Sequence, residues 1–264
     1  MSDLPPLVDI HCHLLPGFGD GAKTWEESLE MAQMAVSQGV RTAIATPHQL
    51  GMNEDNGSDK IREATRELQE RLLQAGIPLT VLPGATLRVG LKLVDSVLAG
   101  AGMTMADMRR HVLVELPPDR CQGLEHVIES LRGERIVPIL AQPERNQVLL
   151  AHPEKVPPLV HRGCLLQLTA DSLLGTFGSA PKKMAEWLIE CGLAHVVASD
   201  GHGASTRRPR MDEVYERLRK RFGQSLALLL CSRNPAAIAS GRRVTTPPKG
   251  RQIGLFARLL GRVA

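Results

Sequence analysis

Leu7-Val-Asp-Ile-His-Cys-His13 is the stretch on which the reading of this chain turns. Its first four residues form a short β-rich run, which ends on two histidines spaced two apart. In extended backbone, residues i and i+2 share a face, so His11 and His13 converge on one point, as a divalent metal requires. Cys12 then faces the opposite way, as a buried thiol. One such pair is as readily incidental as functional. Asp200-Gly-His202 repeats the spacing near the other end of the chain, and the two pairs together favour a metal site.

Outward from this stretch, strand-like and helix-like patterns alternate. The expected strands are 7–10, 40–45, 77–82, 111–116, 136–141, 164–169 and 195–199. Thr24-Trp-Glu-Glu27 reads as a capping box that starts a helix running to about Gln38, with Gly39 as its stop. Further helices are expected over 58–74, 123–132, 153–162, 180–191, 211–222, 225–230 and 235–240. Seven strands, mostly followed by helices, imply a parallel α/β sheet. At 264 residues a closed barrel is preferred to an open sheet.

Composition narrows the class. Hydrophobic residues make up 43% of the chain and aromatics 3%, so aliphatic side chains must fill the core. No apolar run approaches the roughly 18 residues of a membrane span. The first six residues lack the charged and apolar regions of a signal peptide. Five cysteines, an odd number with no CxxC pair, fit reduced thiols. A cytoplasmic protein is expected. The net charge is +4, yet Arg242, Arg243, Lys249, Arg251, Arg258 and Arg262 close the chain with no acidic residue among them. The rest is slightly acidic, which argues against a nucleic-acid binder. The division expected is a barrel body over 1–243, then a Pro/Gly linker and basic tail over 244–264. In the tail, Ile253, Phe256, Leu260 and Val263 fall near helical spacing, as in a short helix that rests on an anionic membrane; a disordered tail is the alternative.

The unusual polar residues sit at the C-terminal ends of the expected strands, where barrel active sites are built. His11, His13 and Asp20 follow the first strand and His48 the second. Glu115 ends the fourth, Gln142, Glu144 and Arg145 follow the fifth, and Asp200 and His202 follow the seventh. Arg145 and the Arg207-Arg208 pair are candidate anion holders, because a guanidinium fork matches phosphate oxygens; Arg208 and Arg210 read more readily than Arg145 as exposed loop arginines. His111, His126, His152, His161 and His195 read as solvated or locally hydrogen-bonded. The residue six positions after each cysteine is Phe18, Val127, Ala170, Val197 or Ala237, never the arginine of a thiol phosphatase loop. No GxSxG elbow or Walker loop is present. Metal-activated water is the remaining chemistry.

The ordered motifs Asp9-Ile-His-Cys-His13, Pro16-Gly-Phe-Gly-Asp-Gly-Ala-Lys-Thr24, Ala45-Thr-Pro-His48, Leu82-Pro-Gly84, Glu115-Leu-Pro117, Pro143-Glu-Arg145, Ser172-Leu-Leu-Gly175 and Ser199-Asp-Gly-His202 carry a resemblance. From about residue 7 to 240 the chain resembles the manganese-dependent bacterial protein tyrosine phosphatases of the PHP (polymerase and histidinol phosphatase) superfamily, which accompany capsule and exopolysaccharide synthesis. The resemblance implies a distorted TIM-like (β/α)7 barrel and a cluster of up to three metal ions. His11, His13 and Asp200 would hold the first ion, Glu115 the second, and Asp20, His48 and His202 the third. Arg145 and Arg207 would contact the phosphate. It also implies a phosphotyrosine protein partner, a membrane-bound bacterial tyrosine kinase. Two positions depart from the family: Thr86 stands where it has glutamate, and Gln142 where it has histidine. They lower the expected occupancy to one or two Mn2+ ions. Two other readings share these motifs: a catalytically degenerate module that binds a phosphorylated partner, and a small-molecule phosphomonoesterase.

Overall fold

A computed structural model describes residues 4–50 and 56–248. The strands are β1 (Leu7–Cys12), β2 (Val40–Ala45), β3 (His48–Gln49), β4 (Thr80–Pro83), β5 (Thr86–Arg88), β6 (His111–Glu115), β7 (Val137–Ala141), β8 (Leu165–Thr169) and β9 (Val196–Ala198). All their pairings are parallel, in the orders β1-β2-β4 and β3-β5-β6-β7-β8-β9. The two sheets are halves of one ring. β3 continues β2 beyond Thr46-Pro47, and β5 continues β4 beyond Gly84-Ala85. The first break has a local cause, since Pro47 has no amide hydrogen to give a ladder; Gly84 lets the neighbouring strands approach closely, because a Cβ there would lie 2.6 Å from Ile44 Cγ2. The ring closes where Asp200 N donates to His11 O (2.8 Å), His13 N donates to Gly201 O (2.8 Å) and Cys12 bridges Gly201.

Side-chain alternation agrees with closure. Val8, Ile10, Ile44, Leu113, Ile139 and Val196, with Met105 and Ile238, form one buried cluster that fills the ring. Their neighbours in the strands, such as Val40, Ala43, Val112, Val114, Leu140 and Leu166, belong to a second cluster shared with the helices. Helices Trp25–Ser37, Ser58–Gln74, Leu124–Gly133, Ser179–Glu190 and Met211–Phe222 supply that outer layer. Among the described residues no helix is long and apolar enough to cross a membrane.

Several details differ from expectation. The third strand starts at Thr80, three residues after Ile77, because Ile77-Pro78-Leu79 closes the preceding helix: Ile77 N donates to Leu72 O and Leu79 N to Ile77 O. The helix expected over 153–162 is a 3-10 turn, Pro153–Lys155, leading into Val156–His161. Short helices Leu93–Leu98, Gln147–Ala151 and Ala170–Leu174 had no expectation. Thr24 caps the first long helix by accepting from Glu27 N at 3.2 Å. Glu27 reaches back to Lys23 N (2.8 Å) rather than to the cap residue itself. The body's contacts run past 243, since Thr245 N donates to Asn234 Oδ1 at 3.0 Å and Asn234 Nδ2 returns a bond to Thr245 O at 2.9 Å. The tail helix expected within 251–264 lies outside the described residues.

Candidate metal centre

An irregularity in β1 creates the site. The β1–β2 register shifts between Asp9 and Cys12. Val8 and Ile10 point into the ring, yet Cys12 packs in the outer cluster, so the alternation reverses and His11 and His13 turn toward the interior rim. Asp9 anchors the irregularity, accepting from Ser199 N at 3.0 Å, His11 N at 3.3 Å and Ser199 Oγ. Burial pushes the Asp9 carboxyl up to about 6 even against these bonds. Cys12 is buried and its thiol is pushed up.

The structure gathers His11, His13 and Asp200 into one group, and His13, Asp20, His48 and His202 into another that shares His13. Asp200 Oδ1 lies 3.3 Å from His11 Nε2 and 3.6 Å from His13 Nε2. Asp200 Oδ2 accepts from Arg207 Nη2 at 2.6 Å and Arg145 Nη1 at 3.0 Å. Burial alone would raise the Asp200 carboxyl, but His11, His13 and Arg207 hold it far below the usual carboxylate range. His48 Nε2 and His202 Nε2 face the two oxygens of Asp20 at 3.6 and 3.4 Å. The His202 contact keeps the Asp20 carboxyl low. Asp20 arrives on a loop that folds over His13, where Ala22 N donates to His13 O at 3.1 Å. Position 21 must be glycine, because a Cβ there would sit 2.4 Å from His13 O.

These donors fit a divalent cation. His11 Nδ1 meets Gln167 Oε1 at 2.8 Å and His202 Nδ1 meets Asp200 O at 2.7 Å. With the proton on Nδ1 in each ring, both Nε2 atoms present lone pairs. Burial depresses His11 and, more strongly, His13, which keeps the imidazoles neutral. Asp200 Oδ1 is buried and accepts no hydrogen bond. The His11 Nε2 lone pair, turned on a bare buried carboxylate oxygen, is repelled by it unless a cation sits between them.

The two substituted positions are occupied differently. Thr86 Oγ1 is 3.3 Å from His11 Nε2 and bonds Thr46 O. Gln142 Oε1 accepts from Arg145 Nη1. Glu115 is in neither ligand group among the described residues; its Oε2 lies 3.4 Å from His48 Nδ1. Glu144 is buried and turned away, accepting from Thr169 N at 2.9 Å. Arg210 pairs with Asp171 and Glu213, while Arg208 is exposed. Gln142, Asp200 and Arg207 all have positive φ (55°, 56° and 48°), which concentrates backbone strain on this rim. Of the remaining histidines, His126, His152 and His161 are exposed, and His195 Nδ1 accepts from Leu166 N. His111 departs from expectation. It points into the apolar interior with Nδ1 unpartnered, and burial lowers it to about 4. Gln167, which orients His11, escaped the sequence reading because a single amide within Leu165-Leu-Gln-Leu-Thr169 carries no local signal of its partner.

A ring of parallel strands with a histidine–carboxylate cluster at their C-terminal ends defines the class as a PHP-type α/β fold with a candidate divalent-metal site. Residues 7–240 match the family described as capsular polysaccharide synthesis, CpsB/CapC, and the chain belongs to that family. It is similar to tyrosine-protein phosphatase YwqE of Bacillus subtilis, 36% identical over 244 residues, covering 92% of this chain and 96% of the relative. Tyrosine-protein phosphatase CpsB of Streptococcus pneumoniae is 28% identical over 238 residues, covering 88% and 98%. A solved chain from the work on B. subtilis YwqE and S. pneumoniae CpsB, described as unique metal-dependent tyrosine phosphatases, aligns with TM-score 0.87 and 34% identity, covering 93% of this chain and all of the other.

Proposed function

We propose that the protein hydrolyses phosphotyrosine on a protein partner, a membrane-bound tyrosine kinase of capsule or exopolysaccharide assembly. The reading draws on the relatives named as tyrosine-protein phosphatases. One observation carries it to this chain: Asp200 divides its oxygens, Oδ1 toward two metal-type imidazoles and Oδ2 toward two arginines. Cation-binding and anion-binding groups thus meet at a single carboxylate, as transfer of a phosphoryl group requires.

His11, His13 and Asp200 would hold one ion, and Asp20, His48 and His202, with His13 nearby, a second. Glu115 is left as a lone ligand at a third position. One or two Mn2+ ions are therefore proposed. Bound divalent ions supply Lewis-acid neutralisation of the phosphoryl charge and lower the pKa of water. Arg145 and Arg207 hold the phosphate oxygens, and their attachment to Asp200 fixes both forks beside the ligands. A phenol leaves as an anion of pKa about 10, so no side chain need act as a strong general acid. The site serves a protein in the cytoplasm, and the basic tail would touch the membrane that carries the kinase.

The test is hydrolysis of p-nitrophenyl phosphate and of a phosphotyrosine peptide, with and without Mn2+, beside a His11→Ala/His13→Ala control. Mn2+-dependent turnover at least about a hundredfold above the control is expected. Turnover equal to the control would leave a phospho-partner binding module in its place.

A further inference from the structure

Phe177 stands beside the anion-binding arginine, and we propose that its ring is the wall against which the aryl group of the substrate packs. The inference rests on the phosphotyrosine reading above and adds to it the residue that selects an aromatic ester.

The chain has four phenylalanines. Phe18 is in the main core cluster and Phe222 packs against it, whereas Phe177 belongs to neither cluster and is partly exposed. Its ring lies 4.0 Å from Arg145 Cζ. The Nη1 of the same guanidinium is 3.0 Å from Asp200 Oδ2. Arg145 thus shows one face to Phe177 and one edge to the ligand cluster, and its Nε and Nη2 have no protein partner among the described residues.

The ring is held in place by its turn. Gly175 and Gly178, both at φ 93°, flank it, and Gly178 N donates to Gly175 O at 3.1 Å. Thr176 N donates to Asp171 O at 2.9 Å, and Arg210 Nη1 donates to both Thr176 Oγ1 and Asp171 Oδ1 at 3.1 Å. Arg210 is held in turn by Glu213 at the start of the following helix. An apolar ring fixed in a partly exposed position keeps area available for a partner.

The chemistry names that partner. A phosphate gripped by the free edge of Arg145 carries its ester substituent one oxygen beyond phosphorus, next to the guanidinium. A phenyl substituent there meets the Phe177 ring in the edge-to-face or offset contact that aromatic pairs prefer, and shares the guanidinium cation with it. An alkyl ester offers no such face. Phe177 is therefore a specificity-determining residue.

The test is calorimetric binding of phenylphosphonate and methylphosphonate to the full chain loaded with Mn2+, which needs no turnover. The wild-type protein is expected to bind phenylphosphonate about tenfold more tightly. Phe177→Ala should bring the ratio to about two, and Phe177→Trp should keep it. Phe177→Leu, which retains apolar contact with Arg145, gives the same loss should the alanine variant misfold. Equal weakening of both phosphonates, or an unchanged ratio, overturns the aryl wall alone, since the ring would then merely prop Arg145. If neither phosphonate binds the Mn2+-loaded wild type, the phosphatase reading is overturned and the wall with it.

Discussion

At Gln167 the side-chain amide serves as a tautomer lock. Its Oε1 takes the His11 Nδ1 proton while its Nε2 donates to Leu168 O at 2.8 Å, so the amide cannot turn without losing a buried bond. Gln167→Leu should weaken metal binding by about 10–100-fold with little change in fold, as read by metal titration and circular dichroism. On the proposed reading Thr86 and Gln142 would limit the number of ions by another route, since one offers a hydroxyl and the other spends its carbonyl oxygen on Arg145. Thr86→Glu with Gln142→His should raise the metal content by about one ion per chain, measured by elemental analysis, with faster p-nitrophenyl phosphate turnover. Glu144 acts on stability instead. Burial pushes it up to about 7 from an ordinary 4.5. Between these values the folded chain keeps a proton that the unfolded chain has lost, so stability falls as pH rises through the window and levels off above it. The loss is on the order of 3 kcal/mol. Glu144→Gln removes it, and the variant's melting temperature should gain on the wild type's between about pH 5 and pH 8.

Among the elements, the helix Trp25–Ser37 reaches the site through its first turn. Glu27 accepts from Lys23 N through Oε2 and lies 3.4 Å from Ala204 N through Oε1. The segment it touches runs from His202 to Arg207. Glu27→Ala should cost about 1 kcal/mol in urea unfolding and raise KM more than it lowers kcat, because the helix start and the loop that carries Arg207 loosen together. Much of this level was legible beforehand. Val40–Ala45 and the paired histidines stood out because apolar runs ending in metal-type residues are local patterns. The ring's irregular parts were not. The reversal between Asp9 and Cys12 is set by Ser199, far along the chain, and leaves no mark in Leu7–His13 itself. Strand β3 is two residues long and exists because His48 pairs with Thr86. Phe177 carries no local signal of its role, because its partner Arg145 is distant in sequence.

For the molecule as a whole, the body and the tail should separate cleanly. Contacts of the body continue through Thr245, so a chain ending at 248 should keep its metal content and turnover. It should lose whatever affinity the full chain has for vesicles containing anionic lipid, measured by co-sedimentation; unchanged affinity would rule out a membrane role for residues 249–264. The seam between β1 and β9 has a further consequence. Cys12 and Gly201, which meet there, are 189 positions apart. The same few backbone bonds that shut the ring also bring His11 and His13 to Asp200. Topological completion and assembly of the ion's cradle are therefore one event, governed by a loop closure spanning most of the polypeptide. A nascent chain still on the ribosome holds only half of that cradle until the segment around Asp200 has emerged. A cation captured there would then act as the latch that disfavours reopening.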